Sequence, residues 1–294
     1  MGYFAQQIVN GIHLGALYAL LAFGYAIAHA VLRRASFVHG ALFAFSGQVA
    51  IIFTGLGWHT LWLVYPAALS LGVVAALTYT ALAARLIAGA VLEPMRRAAP
   101  NTTIAASLGI MLVLMESVRI ATASSVPWLS PFLNRVVVLA QGDFTVTTTP
   151  IKLIETLISA TVIGLGAWYL AASRGGRMWR AVAQDETAAA LMGVDGRKVF
   201  ANSMLWAGLV AGLAGVLAAF HYGNIDFGTG LSFAVKVLFV ASLGGLSSPL
   251  SAAMGGLGIG MFETLWDGYF PAVWRDAATY SLLCALLILI RRAE

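Results

Sequence analysis

The ionisable residues of this chain are few, and several fall inside long apolar runs, where a charge is costly. Lys236 and Glu263 lie within two such runs, Glu116 and Arg119 share a third, and His39 stands beside Gly40 at the start of a fourth. Glu116 and Arg119 are three residues apart, so on a helix they share a face and form a structural ion pair. Lys236 has three readings: it snorkels to an interface, pairs with an acid such as Glu263 or Asp226, or lines a polar pathway. His39 is either a packed, hydrogen-bonded group at a boundary or part of a gate or pathway lining. No single apolar run carries the string of carboxylates that a proton relay would use, which counts against a proton-driven carrier.

Nucleotide chemistry finds no motif. Each of the three lysines, Lys152, Lys198 and Lys236, follows a residue other than glycine, so the chain has no Walker A sequence. The cluster Gly255-Gly256-Leu257-Gly258-Ile259-Gly260 resembles a dinucleotide fingerprint only superficially, because it lies inside an apolar run with no acidic partner about 20 residues on. Close helix packing explains it better. Gly11 and Gly15, Gly208 and Gly212, and Gly256 and Gly260 all have the spacing that lets membrane-embedded backbones approach. Cys284 is the only cysteine, so it forms no disulfide within the chain, and it is expected to be a buried small hydrophobe.

The elements that must position these residues follow from composition. The chain is 60% hydrophobic and 10% charged, against about 25% charged in soluble domains, and its mean hydropathy is +0.87. It is read as an all-α polytopic membrane protein. Apolar runs cover residues 4–32, 37–53, 61–86, 102–123, 151–172, 199–222, 233–246, 250–266 and 277–290. Most have the roughly 20 residues needed to cross a ~30 Å hydrocarbon core. The second and seventh are short and contain glycine, so they are expected to be broken or tilted and the count is about eight or nine. No cleavable signal is expected, since the first run is too long and lacks a basic start.

The formal charge of +5 is read as topology and not as nucleic-acid affinity. Placing Arg33, Arg34, Arg85, Arg96, Arg97, the polar stretch from Arg174 to residue 199, Arg291 and Arg292 in the cytoplasm puts 12 of the 17 cations there. That distribution satisfies the positive-inside rule with an extracytoplasmic amino terminus, a cytoplasmic carboxyl terminus and nine crossings. The stretch 175–199 is the longest polar segment placed to meet a water-soluble partner. A helix is expected over 178–192, closed by Gly193 and an Asp195-Gly196 turn. Across the membrane, residues 124–150 hold two β-rich runs around Gln141-Gly142-Asp143, which predict a small extracytoplasmic hairpin. This hairpin either closes a loop or offers a docking surface.

Taken in order, these residues resemble the membrane permease subunits of branched-chain amino-acid ABC importers, and the resemblance covers nearly the whole chain. It is carried by the run from Asn10 and Gly11 through Gly15 and Tyr18 to Leu20 with Gly24-Tyr25. Ser36-Phe37-Val38-His39-Gly40 and Thr103-Ile104-Ala105-Ala106-Ser107-Leu108-Gly109 follow. Next come Ala183-Gln184-Asp185-Glu186 with Leu191-Met192-Gly193-Val194, then Lys236, Ser242-Leu243-Gly244-Gly245 through Pro249, Gly255-Gly256 and Glu263. The order and spacing are more specific than any single piece.

The resemblance implies a single transmembrane domain over 1–294 in a bacterial inner membrane, with 175–199 as a cytoplasmic coupling loop. Implied partners are a second homologous or identical permease, two cytoplasmic ATP-binding subunits and an extracytoplasmic substrate-binding protein. This chain would hold no cofactor, catalytic residue or metal, because ATP and magnesium would be used by the partner ATPases. Trp179, Arg180, Asp185, Glu186, Ala188, Ala189 and Gly193 would contact the ATPase, with Val182 and Met192 as further apolar anchors. A helix merely resting on headgroups is the alternative. Ser36, His39, Ser107, Lys236 and Glu263 would line the translocation pathway. Three positions depart from the family pattern: Ser36 replaces a favoured asparagine, Ala41 a frequent acid and Ser107 a frequent threonine. The resemblance implies branched-chain or other hydrophobic amino acids as substrates. If these three positions line the pathway, the substrate need not be leucine, isoleucine or valine, and urea, short amides and small aromatic or aliphatic carboxylates are served by similar proteins.

Overall fold

A computed structural model describes residues 2–96, 98–122, 128–130, 132–141, 144–226, 228–245 and 248–293. Arg97, Gly142, Asp143, Leu246 and Ser247 lie outside the described residues, as do the side chains of Arg291 and Arg292. The chain opens with α1 (Gly2–Leu32), α2 (Val38–His59) and α3 (Tyr65–Ile87). α3 runs on through a π-helical stretch, Ala88–Leu92, into the short α4 (Glu93–Met95), and α5 (Pro100–Ala121) follows. Strands β1 (Val137–Ala140) and β2 (Val146–Thr148) form the expected antiparallel pair, with Val137 opposite Thr148 and Val138 opposite Thr147. Next come α6 (Pro150–Ala172), α7 (Arg174–Gln184), α8 (Glu186–Leu191) and α9 (Gly196–Tyr222). α10 (Thr229–Leu243), α11 (Pro249–Tyr269), a 3-10 turn (Ala272–Trp274) and α12 (Arg275–Ala293) complete the chain.

Among the described residues, seven helices are long and apolar enough to cross a membrane, and α10 is a shorter apolar one. α11 has the length, at 21 residues, but its glycines and Glu263 dilute its hydropathy. Pro66 and Pro249 open α3 and α11, where the missing N–H costs no helical hydrogen bond. Two expectations need correction. α2 is unbroken and continues to His59; Gly57 lies against α3, and a Cβ there would sit 3.1 Å from the Ala68 Cβ. Cys284 is exposed on α12, not buried, because the buried position of that turn is its neighbour Leu283.

The chain divides into two compact units, and α1, α6 and α10 each contribute to both. In the unit formed by Met1–Ala26, Pro131–Leu165 and Lys236–Glu294, glycines of α1 and α11 interlock. A Cβ on Gly15 would lie 2.7 Å from the Leu257 carbonyl oxygen, and one on Gly256 would lie 2.6 Å from the Ala19 nitrogen. The helices approach backbone to backbone, as the paired glycine spacing allows. The hairpin is pinned to α1 by Gln6, whose Nε2 donates to the Thr147 carbonyl at 2.9 Å and whose Oε1 accepts from the Thr147 N–H at 2.7 Å.

The unit formed by Ile27–Ser130 and Gly166–Val235 is built on α2, α3 and α9. Val49, Ala50, Ala75, Ala76 and Val216 make a core cluster between them. A Cβ on Gly47 would meet the Gly215 carbonyl oxygen at 2.7 Å, and one on Gly212 would meet Thr80 Cγ2 at 2.9 Å. Small residues are again what lets the helices close.

Candidate functional site

The polar stretch 175–199 does not form the single helix expected over 178–192. It breaks at Asp185, whose backbone is extended (φ −152°, ψ 109°) and whose carboxylate accepts the N–H groups of Thr187 at 2.8 Å and Ala188 at 3.0 Å. Aspartate competes with helical backbone bonding wherever its side chain can cap a following helix. Here it ends α7 and starts α8. Gly193 closes α8 in the left-handed region (φ +82°), as a helix stop favours. The expected Asp195-Gly196 turn is instead a cap: Asp195 accepts from the N–H groups of Arg197 at 3.1 Å and Lys198 at 3.2 Å and starts α9. Those bonds to Lys198 and Arg197 hold the Asp195 carboxyl below its ordinary value.

α7 is amphipathic and fastened along one side. Trp179 and Val182 are buried, and Trp179 Nε1 donates to the Ile27 carbonyl at 3.2 Å. Arg33 Nη2 donates to the last carbonyls of α7, Ala183 at 2.9 Å and Gln184 at 2.6 Å. Arg180 donates to the Leu170 and Ala171 carbonyls at the end of α6. Glu186 pairs with Arg96, which also lies 4.7 Å from the centre of the Phe200 ring. Arg197 pairs with Glu93. Ala189 is buried, whereas Ala188 and Gly193 are exposed. Leu191 and Met192 are 85% and 84% exposed, an apolar tip on a helix otherwise held from behind.

Of the residues assigned to ATPase contact, then, Trp179 faces inward and Arg180 and Glu186 are engaged within the chain. Asp185 shapes the elbow, and Ala188, Gly193 and Met192 face out. Leu191 is the residue that sequence reasoning passed over. The signal was present, since Leu191-Met192 is, with Met178-Trp179, one of two adjacent pairs of large apolar residues in the stretch.

The pathway candidates fall into two groups. In the α2–α5 region, the Phe37 N–H donates to Ser107 Oγ at 3.1 Å, and Ser107 Oγ in turn donates to the Ile104 carbonyl at 2.8 Å. Ser36 Oγ accepts from the Val38 N–H at 3.3 Å, and His39 is buried in the first turn of α2. Ser36 and Ser107 therefore accept from two consecutive backbone N–H groups, those of Val38 and Phe37. Glu116 and Arg119 form the expected exposed pair on α5, with Arg119 Nε 2.8 Å from Glu116 Oε2.

The other group is Lys236 with Glu263. Lys236 is buried, and its Nζ lies 2.9 Å from Glu263 Oε1 and 3.0 Å from Asp276 Oδ1. Glu263 is 1% exposed and accepts from the Tyr18 hydroxyl at 2.7 Å. Arg275 extends the set, 3.0 Å from Asp267 and 3.5 Å from Asp276. Of the three readings of Lys236, pairing with an acid is the one seen. Charge matching explains the burial: an unpaired ion in this setting would carry a large desolvation cost. Tyr18, Asp267, Arg275 and Asp276 were not singled out as partners. Asp276 is 40 residues from Lys236, and no local spacing links them.

Comparison with known proteins identifies the family. A family model described as branched-chain amino acid transport system, permease component, matches residues 7–291. The high-affinity branched-chain amino acid transport system permease protein LivH of Escherichia coli is 27% identical over 98% of this chain and 94% of its own length. LivH of Salmonella typhimurium gives the same figures. BraD of Pseudomonas aeruginosa, a permease protein of the same description, is 25% identical over 97% of this chain and 94% of its own. Among solved structures, PsaBC from Streptococcus pneumoniae in complex with Fab aligns over 98% of this chain and 91% of that one, at 16% identity and a TM-score of 0.46. The family match begins in α1 and ends in α12, across every element described above, and the chain belongs to the branched-chain amino acid transport system permease family.

Proposed function

We propose that this chain is the translocating subunit of an ATP-driven importer in a bacterial inner membrane. It would supply half of a pathway completed by a second permease, homologous or identical. Two cytoplasmic ATP-binding subunits would energise it, and an extracytoplasmic binding protein would deliver the substrate. ATP and magnesium would be handled by those partner ATPases, and this chain would catalyse no bond change. Branched-chain amino acids are the substrate class named for its relatives, and these or other hydrophobic amino acids would be its substrates. Urea, short amides and small aromatic or aliphatic carboxylates are the alternative, compatible with the departures at Ser36, Ala41 and Ser107 if those positions line the pathway.

The observation that carries this reading is the apolar tip of Leu191 and Met192, displayed at the end of an elbow whose other faces are fastened to its own unit. A mobile arm would absorb a push, whereas a braced helix passes it to attached spans as a rigid displacement. The test is co-purification of the permease with the ATPases encoded beside it. Replacing Leu191→Asp and Met192→Asp together should abolish recovery of the ATPases and of ATP-dependent leucine uptake while the permease still folds. Full recovery of both would refute the assignment. ATP-independent uptake by the chain alone would favour a secondary carrier.

A further inference from the structure

We propose that Arg33 is a positioning residue for transport, the link through which displacement of α7 and α8 reaches the entrance of α2. The inference rests on the powered-permease reading above and adds a route within it. Arg33 occupies the left-handed region (φ +54°), immediately after α1, with its N–H bonded to the His29 carbonyl at 2.6 Å. That is a helix-stop conformation in which glycine is unstrained and a residue with a Cβ is disfavoured. An arginine held there is explained by its side chain.

The side chain reaches across to α7 and donates one nitrogen, Nη2, to two successive terminal carbonyls, Ala183 and Gln184. Helix ends present such carbonyls without intrahelical partners, so Arg33 caps α7 from another segment of chain. Trp179 makes a second fastening between the same segments through the Ile27 carbonyl. Arg34, the next residue, donates to the Arg96 carbonyl at 3.1 Å, and Arg96 in turn pairs with Glu186 at the start of α8. The segment 33–37 is thus held at both ends of the α7–α8 elbow.

From Arg33 the chain needs only four residues to reach Phe37, whose N–H is bound to Ser107 of α5, and two more to reach the buried His39. A displacement of α7 is therefore delivered to the Ser36–Phe37–Ser107 junction by covalent chain and two hydrogen bonds. All of these residues belong to one compact unit. Were Arg33 merely a helix stop, glycine would serve at least as well, and this separates the two roles.

The test uses the permease assembled with its ATPases, in a Cys284→Ser background carrying Ser36→Cys as a reporter. The measured quantity is the change in maleimide labelling rate at position 36 on trapping with ATP and vanadate. Arg33→Gly should keep the ATPases bound and their hydrolysis within about twofold, while the nucleotide-dependent change at position 36 falls at least fivefold. Trp179→Phe, which keeps the ring but removes the donor to Ile27, should reduce the change in the same direction, and it stands in if Arg33→Gly does not fold. A full labelling response in either folded variant overturns the proposal while leaving the importer reading intact. Loss of the ATPases from the Arg33→Gly complex also overturns it, because Arg33 would then act in assembly. A parent reporter protein whose position 36 ignores nucleotide overturns this inference alone; the importer reading falls separately, if no ATPase co-purifies and uptake is independent of ATP.

Discussion

Two sets of charges fasten helices in this chain, and they work in opposite dielectric surroundings. Lys236 and Glu263, side chains 9% and 1% exposed, form a buried pair between α10 and α11 of one unit, and Lys236 also reaches the 59% exposed Asp276 of α12. Arg96 with Glu186 and Arg197 with Glu93 fasten the α7–α8 elbow and the start of α9 in the other unit, and the Arg197 side chain is 82% exposed. Coulomb attraction is strong where water is excluded and weak where it is not. The first set is costly to break because each charge depends on its neighbours. The second is cheaper to break singly, because Glu186 and Arg197 remain in contact with water.

The largest expected effect is at Lys236. Lys236→Met leaves Glu263, among the described residues, with the Tyr18 hydroxyl as its hydrogen-bond donor, and removing one member of a buried pair costs about 3–5 kcal/mol. Thermal unfolding in detergent should show a large fall in midpoint. Adding Glu263→Met should recover most of it, since a buried pair replaced by apolar groups is often neutral. No recovery in the double variant would mean the set is not behaving as a buried ion cluster.

A smaller effect is expected at the elbow. Glu186→Gln removes the partner of Arg96 at a half-exposed carboxylate, and such pairs contribute ~1 kcal/mol or less. The unfolding midpoint should move little, and the difference from the parent should shrink further in high salt. A shift comparable to that of Lys236→Met would erase the contrast between the two sets.

The smallest effect is local to Asp195. Its carboxyl is held below the ordinary value by the N–H groups it accepts, so its cap is fully formed above the ordinary carboxylate range. The cap is lost only as pH falls through the lowered value. The protection factors of the Arg197 and Lys198 amides, taken against the intrinsic exchange rate at each pH, should stay level from neutral pH to below the usual carboxylate range, then fall. In Asp195→Asn the protection should be independent of pH.

Much of the framework was legible in the sequence because it rests on patterns of one helix or one hairpin at a time. The nine apolar runs correspond to nine helices among the described residues, the β-rich runs pair as strands, and Glu116 meets Arg119 one turn away. The glycine pairs of α1 and α11 were recognisable as packing sites, although the sequence does not say that they mesh with each other. What escaped depended on choices between equal local options. Asp185 suits either an exposed helical position or a cap, and only the fixing of α7 by Arg33 and Trp179 selects the cap. Trp179 suits either an outward anchor or an inward one, and the phase of α7 decides. Asp276 became a partner of Lys236 only when α10 and α12 were brought together.

The π-helical stretch Ala88–Leu92 bears on all of this through angle alone. A π-type turn accommodates one more residue than an α-turn, and one residue of α-helix corresponds to about 100° of rotation about the axis. The stretch therefore acts as a phase shifter at the end of α3. It sets the azimuth of Glu93 and Arg96, the two residues that grip Arg197 and Glu186. Were the same residues wound as regular α-helix, both side chains would stay chemically intact but be aimed roughly a quarter-turn away from their partners.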